Sequence, residues 1–239
     1  MINQPLVSII MNCFNGEKYL EEAIQSVYNQ NYSNFEIIFW DNNSTDNSKN
    51  IALGFDNRVK YYSNDSTTNL GFARNQALKK ANGKYISFLD TDDTYAKNKI
   101  NLQIELMSKR ELMMSYGGVR FFRDNKTIWV RNTKNATGFL LNNLLKEYDI
   151  HMNTVMLNSQ LLTNDCYQFN PNLKYSPDFN LFMKIALRYK IGVIKSVIGN
   201  SRVHDKSLTI GMPDILFPSA IGSFMSLFLK SLLFKISLK

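Results

Sequence analysis

The 239-residue sequence predicts an α/β fold: an open, mostly parallel sheet flanked by helices, followed by a mixed α+β half and a helical tail. Three observations lead there. Short apolar, β-branched runs alternate with helical segments from Leu6 to Leu89. The best of those helical segments is apolar on one face only, as a helix lying on a sheet must be. Last, the apolar run Tyr85 to Leu89 passes directly into Asp90, Asp92 and Asp93. Close carboxylates repel one another unless a cation or donor groups neutralise them, so this stretch suits the rim of a sheet and a divalent metal.

Leu6 to Met11 reads as a buried strand closed by Asn12 and the turn signal Asn15-Gly16. A helix follows from Glu17, with Leu20, Ala23, Ile24, Val27 and Tyr28 on one face and Glu17, Glu21 and Glu22 near its positive end. Phe35 to Trp40 is a second strand, ending at Asp41. Asn42 to Asp46 is turn-forming, and a short helix is expected over Ser48 to Leu53. Val59 to Tyr62 is a weaker third strand. The segment from Gly71 to Leu78 begins a helix in which Ala73, Ala77 and Ala81 permit close packing, and Asn82-Gly83 ends it. Tyr85 to Leu89 is then the fourth strand, which puts Asp90 and Asp92 at the carboxyl ends of the strands, where open α/β sheets bind ligands.

Beyond Asp93 the alternation loosens. Lys97 to Lys109 and Phe139 to Lys146 read as helices, and Gly118 to Phe122 with Thr127 to Val130 as antiparallel strands around Asp124-Asn125. Thr154 to Leu157 is a strand candidate. Phe179, Phe182, Met183, Ala186 and Leu187 give the clearest helical stripe of this half, and Ile191 to Ile198 reads as a strand. The expected organisation is one domain over 1–212, with halves 1–95 and 96–212, and an amphipathic basic helix over 213–239. The uncharged stretches of the tail are shorter than the roughly 20 residues a spanning helix needs. Two surfaces are open to its apolar face: a membrane interface, or the globular part of this or a partner chain.

Lys and Arg number 28 against 20 Asp and Glu, giving a formal charge of +8 that suits an anionic partner. The basic residues are scattered and no recognition motif accompanies them, which sets nucleic acid aside. Cys13 and Cys166 lack the spacing of a disulfide framework or zinc site, and no secretory leader is evident at the N-terminus. The expected location is the cytoplasm, at the inner membrane face if the tail docks there.

Several ordered motifs, spread over about residues 6 to 209, resemble family 2 of the glycosyltransferases, with the Rossmann-like GT-A fold. They are Val7 to Gly16, Ser26 to Gln30 with Phe35 to Ile38, Asp41 to Asp46, Gly71 to Ala77, and Phe88 to Asp93. The resemblance implies that Asp41 accepts a hydrogen bond from the nucleotide base, that Asn12 and Asn15 lie in the nucleotide pocket with Arg74, and that Asp90 tends toward the ribose. It implies Mn2+ or Mg2+ at Asp92, bridging the donor diphosphate. Asp93 is an auxiliary, or a cap of the helix after it. Where the family often has a second Asp after the first, this chain has Asn42.

Ser176 to Phe182 resembles the family's acidic motif at a helix start, which makes Asp178 the general base; its bland reading is a helix cap. Pro177 stands where an acidic neighbour is usual. Arg202 to Ser207 resembles a late R-x-H-x-x-S segment, with His204 as a further metal or diphosphate ligand and Arg202 or Lys206 facing phosphate. His151 and Asn153 fall where the acceptor-side loop is expected. The resulting expectation is an inverting glycosyltransferase taking a UDP-sugar, or a TDP-sugar, to a hydroxyl of a glycan or lipid-linked acceptor for a surface polysaccharide. The alternatives are a non-catalytic binder of sugar nucleotide or carbohydrate with the same fold, and a sugar nucleotidyltransferase. The latter needs a glycine-rich basic phosphate loop that Asn12 to Lys18 lacks.

Overall fold

The computed structural model describes residues 4–164, 167–173 and 176–205. Cys166, Lys206, Ser207 and the tail 213–239 lie outside them. Among the described residues nine strands form one sheet: β1 (Val7–Cys13), β2 (Phe35–Asp41), β3 (Val59–Ser63), β4 (Tyr85–Phe88), β5 (Thr94–Tyr95), β6 (Met114–Arg123), β7 (Lys126–Arg131), β8 (Met156–Asn158) and β9 (Ile191–Arg202). Six α-helices among those residues accompany them: α1 (Glu17–Tyr28), α2 (Ser48–Leu53), α3 (Leu70–Leu78), α4 (Lys99–Arg110), α5 (Leu141–Lys146) and α6 (Pro177–Ala186).

The strand order is β3-β2-β1-β4-β8-β6-β9-β5, with β7 paired to β6. The β3-β2-β1-β4 half is wholly parallel. The other half is mixed: β8 runs antiparallel to β4 and β6, while β6 and β9 are parallel. Parallel register aligns Cys13 with Asp41 and Asp41 with Ser63, so the carboxyl ends of β1, β2 and β3 end level.

Both faces of the parallel half are covered, which is why its strands read as nearly continuous apolar runs. Val7, Ile9 and Met11 pack with Leu20, Ala23, Ile24 and Val27 of α1 on one side. Ile10, Ile38 and Trp40 pack with Ala73 and Ala77 of α3 and with α6 on the other. The alternation within β1 thus assigns odd residues to α1 and even ones to α3. Ser8 is the polar exception, and it is fully bonded. Its hydroxyl donates to Glu36 and accepts the Gly83 N–H, 2.6 and 2.8 Å away. A Cβ on Gly83 would lie 2.5 Å from the Ser8 nitrogen, so the turn after α3 must be glycine to reach β1.

Several elements extend beyond the sequence reading. α3 begins at Leu70, capped by the Asn69 side chain accepting from Phe72, and ends at Leu78, so Ala81 lies in the turn after it. β6 starts at Met114, and β9 runs on to Arg202 because it pairs with β6 along its length and with β5. β5 was not legible as a strand; two residues are too few for any periodicity. Asp124 and Asn125 both have positive φ, 46° and 64°, as a two-residue turn between β6 and β7 requires. Among the described residues no helix is long and apolar enough to cross a membrane.

Candidate active site

The carboxyl ends of the parallel strands hold the nucleotide-side candidates together. Asp41 is 3% exposed, and its two oxygens accept from the Ser44 N–H and the Tyr61 hydroxyl, each at 2.8 Å. It therefore plays the turn role its neighbours suggested and keeps lone pairs for a further donor. Asn42 ties down the following loop: its oxygen accepts from Thr68 and Asn64, and its amide donates to the Thr68 carbonyl at 2.7 Å. A carboxylate cannot donate that last bond, which accounts for asparagine here.

Asn15, at φ 53°, receives the Thr45 N–H on its side chain and donates its own N–H to Ser44, joining the β1 and β2 loops. The buried Asn12 amide nitrogen has no hydrogen-bond partner. A buried orphan donor near the carboxyl end of a parallel strand is an invitation to a ligand oxygen. Gly16 brings the same loop against the carboxylate triad, since a Cβ there would sit 2.8 Å from the Thr91 hydroxyl.

The triad itself divides into three environments. Asp90 accepts from Arg74 at 3.1 Å, and the buried guanidinium also lies over the Phe169 ring. Asp92 Oδ2 is 2.9 Å from His204 Nε2. Burial, and then the charge of Asp90, holds the Asp92 carboxyl above the usual carboxylate range, against the lowering effect of His204. Asp93 is buried, accepting from the Arg202 N–H and the Asn153 amide at 2.9 Å each. Burial first, and then the charges of Asp92 and Asp90, raise its carboxyl well above the usual value. It does not cap a helix, because β5 follows it; it fastens the triad loop to β9.

Arg202 stands at the end of β9. Its guanidinium pairs with Glu22 at 2.5 Å, donates to the Asp92 carbonyl at 3.0 Å and lies over the rings of Tyr19 and Phe122. It thus braces the Asp92 backbone. Asp92 Oδ2 and His204 Nε2, 2.9 Å apart, offer one oxygen and one nitrogen of the kinds a divalent cation takes, but among the described residues no group of three His, Cys, Asp or Glu side chains is placed to hold a metal ion. Asp90, two residues away and partly exposed, is paired with Arg74.

On the acceptor side, α6 begins with Ser176 as N-cap at φ 48° and Pro177 at its first position. Asp178 is the second helical residue and not the cap. Proline in the first turn loses no hydrogen bond there and pre-sets the helical φ, which explains its place beside the acid. His151 reaches the triad through Asn153. Its Nδ1 lies 2.9 Å from the Asn153 oxygen, and Asn153 in turn holds Asp93. Burial pushes the His151 imidazole below its usual value, while the Asn153 contact and the charges of Asp90 and Asp178 oppose that lowering.

The structure ties Asn15 to the loop after Asp41 through Ser44 and Thr45, and joins Asp90 to Arg74, Asp92 to His204 and Asp93 to the Arg202 N–H, while Asp178 lies in the first turn of α6. Tyr61, Tyr19 and Glu22 were missed by sequence reasoning. Tyr61 lies on a strand too weakly patterned to orient. Tyr19 and Glu22 stand three apart on α1, off its buried stripe, and that separation was the available signal.

The family model described as Glycosyl transferase family 2 matches residues 8–161. The chain is 34% identical over 192 residues to UDP-Glc:alpha-D-GlcNAc-diphosphoundecaprenol beta-1,3-glucosyltransferase WfgD of Escherichia coli, covering 79% of this chain and 73% of that protein. It is 32% identical to an uncharacterized glycosyltransferase of Haemophilus influenzae, over 93% of this chain and 88% of the relative. Among solved structures, S. aureus TarS 1-349 in complex with UDP-GlcNAc aligns with a TM-score of 0.73 at 21% identity over 86% of this chain. The mannosyltransferase PcManGT from Pyrobaculum calidifontis, in complex with GDP-Man and Mn2+, aligns at 0.64 and 16% over the same share. This chain spans 60% and 59% of those two solved chains, and at these identities the likeness carries the fold.

Proposed function

The chain belongs to glycosyl transferase family 2, and on that premise we propose that it is an inverting enzyme moving a sugar from a UDP-sugar to a hydroxyl of a lipid-linked or glycan acceptor. Asp178 accepts the proton of the acceptor hydroxyl as its oxygen attacks the anomeric carbon from the face opposite the diphosphate. The bond from that carbon to the diphosphate oxygen breaks, and UDP leaves. Asp41 accepts from a base N–H, and Arg74 holds the Asp90 carboxylate in place for the ribose. Asp92 and His204, with Asp90, would hold Mn2+ or Mg2+, which when bound neutralises charge developing on the departing diphosphate.

The observation that supports this reading is the cluster at the carboxyl ends of the parallel strands, where Asp90 pairs with Arg74, Asp92 lies 2.9 Å from His204 and Asp93 is held by Asn153 and Arg202, the place where open α/β sheets bind ligands. On this reading residues 1–95 serve the donor and 96–212 the acceptor. The acceptor is lipid-linked, with a diphosphate on its first sugar, as in the name of the Escherichia coli relative, and the enzyme works at the cytoplasmic membrane face.

The test is a panel of nucleotide sugars, including UDP-glucose, screened by thermal shift with and without Mn2+ and followed by UDP release. A ligand at 100 times its Kd adds about 2.7 kcal/mol of stability. The expected result is stabilisation by one UDP-sugar, strengthened by Mn2+, and UDP release that depends on Asp178. Binding without turnover across acceptors would make the chain a sugar-nucleotide binder of this fold.

A further inference from the structure

The β6–β7 hairpin carries an exposed cation that the roles above leave unused. In its register Val119 faces Arg131 and Phe121 faces Trp129. Alternate residues of a strand share a face, so these four side chains form one surface. Trp129 stacks on Phe121, with centroids 4.3 Å and planes 17° apart. The guanidinium carbon of Arg131 lies 5.3 Å from the Phe121 centroid. Phe121 in turn meets His151 edge on, at 5.5 Å. The hairpin surface therefore abuts His151, which meets the Asn153 side chain that holds Asp93.

Arg131 is exposed, and among the described residues its guanidinium forms no ion pair and no side-chain hydrogen bond. The charge is close enough to oppose protonation of His151 and to favour ionisation of Tyr148, two groups that also respond to Asp178. The other cations near the triad are engaged: Arg74 with Asp90, and Arg202 with Glu22. A guanidinium resting on an aromatic face keeps its fork of N–H donors for an external oxyanion, and that fork matches phosphate bidentately.

We infer that Arg131, resting on the Phe121–Trp129 platform, binds a phosphate of the acceptor. This rests on the proposed reading, in which the acceptor is a sugar carrying a diphosphate at its anomeric carbon. The phosphate then lies one sugar ring away from the hydroxyl that Asp178 deprotonates, on the hairpin side of His151. Donor phosphate is the competing source of the same chemistry, and its place is at Asp92.

The experiment titrates the full chain, loaded with UDP and Mn2+, with hexyl diphosphate and with the neutral hexyl glucoside. Wild type, Arg131→Gln and Arg131→Lys are compared, and UDP affinity is measured for each. Hexyl diphosphate should bind the wild type, about tenfold more weakly to Arg131→Gln, and with intermediate strength to Arg131→Lys. Hexyl glucoside and UDP affinities should stay within about twofold throughout, with unchanged melting temperatures. Equal affinity of wild type and Arg131→Gln for hexyl diphosphate, or no binding to the wild type, overturns the assignment. Weakened UDP binding in Arg131→Gln assigns the residue to the donor instead and overturns it as well. A wild type that binds no UDP overturns the donor reading itself and this assignment with it.

Discussion

Asp92 follows β4 at the rim of the sheet and Asp178 lies in the first turn of α6, and their removal should fail in different ways. Asn at position 92 keeps the shape and loses the charge that faces His204. Asp92→Asn is expected to lower UDP release at least about a hundredfold and to abolish the Mn2+-dependent part of UDP stabilisation, with the fold intact. Full turnover in that variant would remove Asp92 from the metal site. Asp178→Asn should instead bind UDP and Mn2+ as the wild type does, while kcat falls by about 10² to 10⁴, the usual contribution of a general base. A rise in the UDP Kd with kcat preserved would reassign it to the donor side. Both residues were legible in the sequence because they stand in local motifs. His204 was expected beside Asp92 from the late R-x-H-x-x-S segment, but the 2.9 Å contact across 112 residues came from the fold.

At the scale of an element, the loop between β1 and α1 decides how tightly the nucleotide side is assembled. Its Gly16 has a negative φ, −101°, so its need for glycine is steric and not conformational. Gly16→Ala puts a methyl 2.8 Å from the Thr91 hydroxyl and 3.0 Å from the Cys13 sulfur. The loop must then withdraw from the triad. The expected outcome is roughly a tenfold loss of UDP affinity with little change in melting temperature, read by titration and thermal shift; an unchanged affinity would show that the loop yields without cost. The glycine was visible as a turn residue, but its neighbour was not. α1 itself was legible almost to the residue, because its buried stripe of Leu20, Ala23, Ile24 and Val27 has the helical period. The hairpin strands were read short, since β6 alternates poorly where glycines at 117 and 118 interrupt it and its register shifts.

At the scale of the molecule, the two halves of the sheet meet over a buried lysine. Lys99 of α4 is fully buried, bonded to the Ser87 hydroxyl at 2.7 Å and the Gln103 oxygen at 2.6 Å, and lies over the Tyr95 ring. Gln103 donates on to Ser115 and to the Thr154 carbonyl, and Tyr95 donates to the Phe88 carbonyl. The network so joins β4, β6, α4 and the turn before β8 beneath the triad. Burial lowers the Lys99 amine well below its usual value, and its nitrogen also faces the Val155 carbonyl at 3.4 Å. A folded pKa below the unfolded one means that the unfolded chain binds the extra proton, so stability is fully present above the unfolded value and is lost as pH falls through the folded one. Lys99→Met removes that proton. Between about pH 8 and 10 the slope of unfolding free energy against pH should fall by about 1.4 kcal/mol per unit relative to the wild type. Parallel slopes, measured by urea unfolding across that range, would mean that Lys99 is charged in the fold.

Periodicity and short motifs were enough for the order of the elements, the parallel half of the sheet and the five acidic positions at its rim and on α6. Those signals are local: a strand alternates over four residues, a helix repeats within two turns, and a turn or acidic motif is contiguous. The antiparallel return through β8, the parallel pairing of β6 with β9 and the two-residue β5 came from contacts between segments far apart in the chain. So did the division of the triad into a carboxylate held by Arg74, one held by His204 and one locked between Asn153 and Arg202. Three neighbouring aspartates are chemically identical along the chain. They acquire distinct roles only from what packs against each, and packing across 16 to 112 residues leaves no period in a sequence to read.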